Sequence, residues 1–207
     1  MNTKYDLIVI GGGALGTFHA YHAMQEGLKV ALIEKDKQPV SATVRNFGQV
    51  VPSGMDTKWQ NYGRESLKIY NDIQSQFDIS VRNNGSVYLA SNDEEVQLIE
   101  ELSSINKNNG YESHLLTKEQ CLEKYHGLRS DYVKAGLFFP QEVTVEPRVM
   151  IHRLLEYLTT EKGLHYFNNT KVVRCEVLKD EVEVETANGD IFRASKVILC
   201  CGAEFKT

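Results

Sequence analysis

The stretch from Asp6 to Glu34 constrains the fold of this chain more than any other part of it. The short apolar run Asp6-Leu7-Ile8-Val9-Ile10 is typical of a buried parallel strand, and it leads directly into Gly11-Gly12-Gly13-Ala14-Leu15-Gly16. Residues 14–26 are predicted to form a helix, and Val30-Ala31-Leu32-Ile33 a second buried strand that ends on Glu34. This order of strand, glycine turn, helix and strand predicts an α/β fold with a parallel sheet.

The glycine turn matches the pattern G-x-G-x-x-G, with Gly11, Gly13 and Gly16 at the three glycine positions. In this pattern the first glycine allows a tight turn, the second lets the backbone approach a pyrophosphate, and the third lets the helix pack close to the strand. The helix that begins at Ala14 offers N–H groups to the anion, and Glu34 can accept hydrogen bonds from a ribose. The sequence therefore predicts a site for an adenine dinucleotide. The alternative is a glycine turn in another kind of α/β unit, with Glu34 as a solvated strand end.

Composition narrows the class of protein. The 207 residues can bury a sizeable core, and 42% hydrophobic with 25% charged residues is ordinary for a soluble globular protein. The net charge of −5 argues against nucleic acid or an anionic membrane as the main partner. The four cysteines show no C-x-x-C spacing, so neither a zinc site nor a redox pair is predicted. No run is long enough to span a bilayer, and glycines interrupt the apolar N-terminus where a signal peptide would continue, so we expect a cytoplasmic protein.

Apolar periodicity predicts the later elements. Residues 56–77 repeat apolar side chains at three- and four-residue steps, which predicts a helix whose aromatic stripe, including Trp59 and Tyr62, faces the core. Glu146-Pro147 is typical of a helix start. From residue 171 onward the pattern alternates as in a β-meander, with a hairpin turn at Asn188-Gly189. The run 196–200 is continuously apolar again and is predicted to lie inside the central sheet.

The segment 41–49 has no amphipathic period but is rich in hydroxyl, amide and glycine groups. Such groups are typical of a loop that lies against a polar ligand, because small residues leave their backbone N–H groups accessible. The alternative is an ordinary surface loop. The position of the segment shortly after Glu34 favours the ligand-binding interpretation.

The ordered set of these features resembles the D-amino-acid oxidase superfamily of FAD-dependent oxidoreductases, which includes glycine and sarcosine oxidases. Five features carry the resemblance: the turn from Gly11 to Gly16, Glu34, the loop Thr43 to Gly48, the helix start Glu146-Pro147, and Lys171-Val172-Val173 with the β-meander into Val197-Ile198-Leu199-Cys200-Cys201-Gly202. The loop from Ala42 to Gly54 further resembles a bacterial branch that is associated with phosphonate utilisation.

The resemblance implies a fold and a division into domains. The fold would be α/β, a Rossmann-like FAD-binding domain of the glutathione-reductase-like family with an inserted, incomplete α+β substrate domain. Residues 1–78 and 145–207 would form the two segments of the FAD-binding domain, and residues 79–144 part of the β-rich substrate domain. Family members are nearly twice this length, so the chain is expected to be an N-terminal portion.

The resemblance also implies residue roles toward FAD, ordered from its pyrophosphate to its flavin ring. The pyrophosphate would be held by Gly11, Gly13, Ala14 and Gly16, with Gly202 packed nearby, and the adenosine by Glu34 and the backbone of Val173. The path toward the flavin would be lined by Thr43, Arg45, Asn46 and Gly48. No catalytic residue and no metal ligand is predicted.

The reaction that the resemblance implies is oxidation of a C–N bond in a small amine, an amino acid or an aminophosphonate. A hydride would pass to flavin N5, and water would hydrolyse the resulting imine; the electron acceptor, O2 or another, is not indicated. Three alternatives stay open: an NAD-dependent dehydrogenase, since the glycine turn and Glu34 suit NAD equally well, a flavin-binding fragment without turnover, and oxidation of a 2-hydroxy acid or glycerol phosphate.

Overall fold

The computed structural model describes residues 4–205 and divides into two compact units. One unit takes the chain up to Phe47 and resumes at Glu146, and the other is Gly48–Val145. The two units therefore divide at residues 47/48 and 145/146. The helix predicted over 56–77 belongs to the middle unit, where the Arg64 side chain donates a hydrogen bond to the carbonyl of Asn109. The division that the resemblance implies, with segments 1–78, 79–144 and 145–207, stays a prediction.

The elements follow one another as strands and helices of ordinary length. In chain order they are β1 (Lys4–Ile10), α1 (Ala14–Gln25), β2 (Val30–Ile33), β3 (Gln49–Val50), α2 (Thr57–Gln76), β4 (Ser86–Ala90), α3 (Asp93–Asn108), β5 (His114–Thr117), α4 (Lys118–Lys124), β6 (Ala135–Phe139), β7 (Val143–Thr144), α5 (Pro147–Thr160), β8 (His165–Phe167), β9 (Val172–Val177), β10 (Val182–Thr186) and β11 (Ile191–Leu199). None of the helices described over residues 4–205 is both long and apolar enough to cross a membrane.

The first unit is built on a six-stranded sheet in the order β8-β2-β1-β11-β10-β9. The pairs β8/β2, β2/β1 and β1/β11 are parallel, whereas β11, β10 and β9 form an antiparallel meander. Ile10 lies opposite both Ile33 and Leu199, so the carboxyl ends of the three inner strands finish at one level. This confirms the predicted α/β fold with a parallel sheet, and it places the glycine turn where nucleotides bind in such sheets.

The two faces of this sheet are covered differently. One face carries an apolar cluster that includes Ile8, Ile33 and Val184. The helices pack through small or branched side chains: α1 buries Gly16, Thr17, Ala20 and Ala23, and α5 buries an apolar face that includes Ile151, Leu154, Leu155 and Leu158. The small residues of α1 let its backbone come close to the strands that precede and follow it.

The middle unit holds a three-stranded antiparallel sheet, β4-β6-β5, and the short pair β3-β7. Its helices begin at side-chain caps: Asp56 for α2, Asn92 for α3, and a complete capping box of Thr117 and Gln120 for α4. The prediction that the aromatic stripe of α2 is core is wrong for Trp59 and Tyr62, which are 59% and 58% exposed.

A buried carboxylate organises the interior of the middle unit. The Glu142 side chain is fully buried, and its oxygens accept hydrogen bonds from the Ser53 N–H at 2.8 Å, from the Tyr111 hydroxyl at 3.1 Å and from the Ser86 hydroxyl. Burial, followed by the neighbouring Glu142 charge, raises the pKa of Tyr111, so its hydroxyl remains a donor at neutral pH. Three donors from separate segments therefore satisfy one buried charge.

Candidate functional site

The glycine turn after β1 is close-packed against backbone on two sides. Gly11 has a φ of +106°, and a Cβ built on it would lie 2.3 Å from the carbonyl oxygen of Cys200. A Cβ on Gly16 would lie 1.9 Å from the carbonyl oxygen of Gly11. No side chain can be accommodated at these distances, so both glycines are required by the packing of β1 against β11 and of α1 against the turn.

Gly13 is different, because no backbone atom lies in front of it. A Cβ on Gly13 would meet only the Thr43 Oγ1, at 3.2 Å, and Gly13 itself has no side chain to cap the helix. The first turn of α1 carries no acidic residue, and the Ala14 N–H donates to the Thr43 Oγ1 at 2.9 Å. A helix N-terminus without an acidic side chain in its first turn can receive an anion such as a pyrophosphate.

Glu34 closes β2 and is held directly beside the glycine turn. Its side chain is 7% exposed; Oε2 accepts the Gly12 N–H at 2.8 Å, and Oε1 accepts the Asp36 N–H at 2.9 Å. A carboxylate offers about four lone-pair sites, so two remain for further donors. The geometry therefore allows Glu34 to fix the turn and to accept hydrogen bonds from the hydroxyls of a ribose at the same time.

The loop 42–48 brings Thr43 to the glycine turn and folds the next residues back on the loop itself. The Asn46 side chain donates to the carbonyls of Ala42 and Thr43, and the Arg45 Nε donates to the Val40 carbonyl at 3.0 Å. Both polar side chains thus brace the loop. Gly48, with a φ of +68°, begins the middle unit, where its carbonyl accepts the Val145 N–H at 2.8 Å.

The remaining two predicted site residues lie on segments that are tied to the ends of β1 and β2. The Thr170 N–H donates to the Glu34 carbonyl at 2.9 Å, which brings the start of β9, and with it Val173, toward the carboxyl end of β2. The Cys200 N–H donates to the Ile10 carbonyl at 2.7 Å, two residues before Gly202. All predicted site residues except Gly48 therefore belong to the first unit, and Gly48 belongs to the middle unit.

One residue near this site was not predicted from the sequence. Tyr166 lies opposite Leu32 of β2 on β8, a three-residue strand that was not predicted either. Its hydroxyl is buried and has no hydrogen-bond partner among the described residues. Only the pairing of β8 with β2 brings it to the site, and a strand of three residues leaves little periodic signal.

The donors and acceptors of this arrangement match an adenine dinucleotide rather than a metal. A helix N-terminus without an acidic first turn, a glycine that faces no backbone atom and a buried carboxylate with spare lone pairs provide for a pyrophosphate and a ribose. Within residues 4–205, no three His, Cys, Asp or Glu side chains come together as a metal site. The residues present therefore suit the adenosine diphosphate half of FAD.

Known proteins resemble this chain over nearly its whole length. Sarcosine dehydrogenase, mitochondrial, of Mus musculus is 26% identical over 95% of this chain and 22% of its own, and glycerol 3-phosphate dehydrogenase of Caloramator mitchellensis is 26% identical over 96% of this chain and 42% of its own. The crystal structure of glycine oxidase from Geobacillus kaustophilus shares the fold with a TM-score of 0.85 at 20% identity, over 97% of this chain and 56% of that one.

These relatives are longer proteins, and this chain spans about a quarter to a little over half of their lengths. The matched part contains the glycine turn, Glu34, the loop 42–48 and the strand that ends before Gly202. The family described as "FAD dependent oxidoreductase", DAO, matches residues 6–206. The chain therefore belongs to the DAO family of FAD-dependent oxidoreductases.

Proposed function

We propose that this chain is the FAD-binding part of an enzyme that oxidises the C–N bond of a small amine or amino acid. The single observation that carries the proposal is the juxtaposition of Gly13, the start of α1 and the buried Glu34, in a chain of the DAO family. The similarity to a sarcosine dehydrogenase, whose name specifies an N-methyl amino acid, supports the substrate class.

In this proposal the residues of the chain bind and orient the cofactor. Gly11 and Gly16 set the close packing of the turn, Gly13 and Ala14 face the pyrophosphate, and Glu34 binds the adenosine ribose. When bound, FAD would supply the redox chemistry by accepting a hydride from the carbon next to the substrate nitrogen. Thr43, Arg45, Asn46 and Gly48 would line the path toward the flavin, with Val173 and Gly202 at the adenosine and pyrophosphate ends.

A second substrate class is favoured by one specific observation. The relative named glycerol 3-phosphate dehydrogenase is as similar to this chain as the sarcosine dehydrogenase is. Oxidation of a C–OH bond in a phosphate ester is therefore the second candidate. The loop 42–54 resembles a branch of the family that is associated with phosphonate utilisation, so an aminophosphonate is a further candidate among the amine substrates.

Reduction of the bound flavin distinguishes these candidates. The purified chain is loaded with FAD and mixed without oxygen with sarcosine, glycine, an aminoalkyl phosphonate or glycerol 3-phosphate, and the visible flavin absorbance is followed. We expect bleaching by the amines, with hydrolysis of the imine giving a carbonyl product. Bleaching by glycerol 3-phosphate alone would overturn the proposed substrate class. A chain that holds FAD and is bleached by no substrate would instead be a flavin-binding fragment without turnover.

NAD is the alternative cofactor, because the glycine turn and Glu34 suit its adenosine half equally well. Membership of a family of FAD-dependent oxidoreductases supports FAD. If the purified protein is colourless, binds NADH and does not bind FAD, the proposal is contradicted.

A further inference from the structure

The Tyr166 hydroxyl is a buried polar group without a hydrogen bond in the part of the chain that the structure describes. Buried hydroxyls are nearly always paired, because water that is lost on burial must be replaced by another partner. An exception therefore needs a reason, and a bound ligand is one such reason. The position of this hydroxyl relative to the nucleotide site supports that explanation.

The register of the sheet places Tyr166 on the same face as Glu34. Ile33 and Phe167 are register partners, and both pack on the apolar cluster that covers one face of the sheet. Leu32 and Tyr166, one residue earlier, are also register partners and therefore point to the opposite face. A Cβ on Gly12 would lie 3.4 Å from the Leu32 side chain and 3.3 Å from the Glu34 Oε2, so this second face is the one that carries the glycine turn and the carboxylate.

The segments on which these groups lie are connected beyond the strands. After β2 and β8 the chain continues in two segments that are hydrogen-bonded to each other: the Asn169 N–H donates to the Asp36 carbonyl at 3.0 Å, and the Asn168 Nδ2 donates to the Lys37 carbonyl at 3.2 Å. Tyr166 and Glu34 therefore sit on a common, braced support. Such bracing holds the ends of β2 and β8 in place before any ligand arrives.

The Tyr166 hydroxyl also has the protonation state of a donor. Burial, and then the negative charge of Glu34, raise the pKa of Tyr166 to about 12. It therefore keeps its proton at neutral pH. The influence of Glu34 on this pKa agrees with the placement of both groups on one face of the sheet.

We propose that the Tyr166 hydroxyl is a second binding group for the adenosine ribose of FAD, and that it donates a hydrogen bond to a ribose hydroxyl that Glu34 also binds. This inference rests on the proposed FAD site and adds a residue to it. Glu34 then acts as the acceptor and Tyr166 as the donor, so that the two groups together match hydroxyls that both donate and accept. Ribose binding would give the buried Tyr166 hydroxyl the hydrogen-bond partner that it lacks.

The substitution Tyr166→Phe removes only this hydroxyl, and nucleotide binding measures the result. Dissociation constants of the full chain are determined by titration calorimetry for FAD, ADP and 2′,3′-dideoxy-ADP. We expect Tyr166→Phe to weaken FAD and ADP binding by about tenfold, the effect of one lost hydrogen bond in a buried site. The dideoxy nucleotide lacks the ribose hydroxyls, so its affinity should not change. A general disturbance of the site would weaken all three ligands by the same factor.

Tyr5→Phe is the matched control. Tyr5 is also a buried tyrosine of the central sheet, but its hydroxyl is paired with the Nδ1 of His165 on β8, at 3.0 Å. We expect Tyr5→Phe to lower the unfolding midpoint of the protein without nucleotide and to leave FAD binding unchanged. Tyr166→Phe should leave that midpoint unchanged or raise it, because it deletes a buried group that has no partner.

The outcomes separate this inference from the proposed function. If the unaltered chain binds neither FAD nor ADP, the proposed function fails and this inference fails with it. If the unaltered chain binds FAD and Tyr166→Phe binds it within twofold as tightly, only the role of Tyr166 is overturned. An equal loss of affinity for ADP and for 2′,3′-dideoxy-ADP would also overturn it, because the ribose hydroxyls would then play no part.

Discussion

The Glu34 carboxylate fixes the glycine turn and can also bind a ribose. Its two oxygens accept the N–H groups of Gly12 and Asp36, which fixes the glycine turn to the end of β2, and each oxygen keeps a lone pair for a ribose hydroxyl. The amino acid at this position therefore determines both the shape of the site and its affinity. A neutral side chain of the same size cannot replace it, since an amide has only one accepting oxygen.

Substitution Glu34→Gln tests this double role. One of the two backbone N–H groups would face the new NH2 group, so we expect a loss of about 1–3 kcal/mol in the free energy of unfolding. The ribose would also lose charge-assisted hydrogen bonds, which we expect to weaken FAD binding by at least about tenfold. Urea unfolding and FAD titration measure the two effects. A variant that binds FAD as tightly as the unaltered chain would show that Glu34 serves the turn alone.

Glu142 in the middle unit has a purely internal set of partners. Substitution Glu142→Ala would leave the Ser53 N–H and the Tyr111 and Ser86 hydroxyls without their acceptor in a fully buried position. We expect the free energy of unfolding to fall by about 3 kcal/mol or more, as for other broken buried networks. Urea unfolding measures the loss, with Glu112→Ala at an exposed position as the control. An unchanged midpoint would contradict the proposed importance of this carboxylate.

Within the glycine turn, one glycine is required for packing and another is expected to serve ligand binding. A Cβ on Gly16 would lie 1.9 Å from the Gly11 carbonyl oxygen, which no structure tolerates, whereas a Cβ on Gly13 would meet only the Thr43 Oγ1, at 3.2 Å, and a small shift of that side chain would accommodate it. We expect Gly16→Ala to lower the stability strongly or to prevent folding. Gly13→Ala should fold with a nearly unchanged midpoint and lose FAD affinity by more than about tenfold, because its Cβ would occupy the approach of the pyrophosphate. Circular dichroism and FAD titration compare the two. Equal FAD affinity in Gly13→Ala would contradict the assignment of the pyrophosphate site.

The turn after α2 is an element with a predictable pH response. The Asp78 carboxylate accepts hydrogen bonds from the Ser80 N–H, the Gln74 amide and Arg82, and these bonds, the first above all, lower the pKa of Asp78 to about 2. A carboxyl whose pKa is lower in the folded state stabilises the fold above its ordinary pKa, and this contribution is lost as the pH falls toward 2. We therefore expect Asp78→Asn to have a lower urea midpoint than the unaltered chain at pH 6, and the difference to shrink at pH 3. A difference that does not depend on pH would contradict this explanation.

Across the whole molecule, the sequence predicts the helices and strands that have a dense local pattern, but not the contacts between residues that lie far apart in the chain. The end of β1, the start of α1 and the bounds of β2 follow from a dense apolar and glycine pattern, although β1 begins at Lys4 rather than at Asp6. The start of α5 follows from Glu146-Pro147. The exposure of Trp59 and Tyr62 was not predictable from periodicity, which reports an apolar face but not what covers it. The partnership of Thr43 with Ala14 and the position of Tyr166 depend on contacts between residues far apart in sequence, so no local pattern indicates them.

Titration of the purified 207-residue chain with FAD measures whether the first unit binds the adenosine diphosphate half of this cofactor. We expect saturable binding of one FAD per chain, competition by ADP, and weaker binding of both nucleotides when Gly13 is replaced by Ala. A chain that is folded by circular dichroism and takes up no FAD, or that prefers NADH, would contradict this expectation.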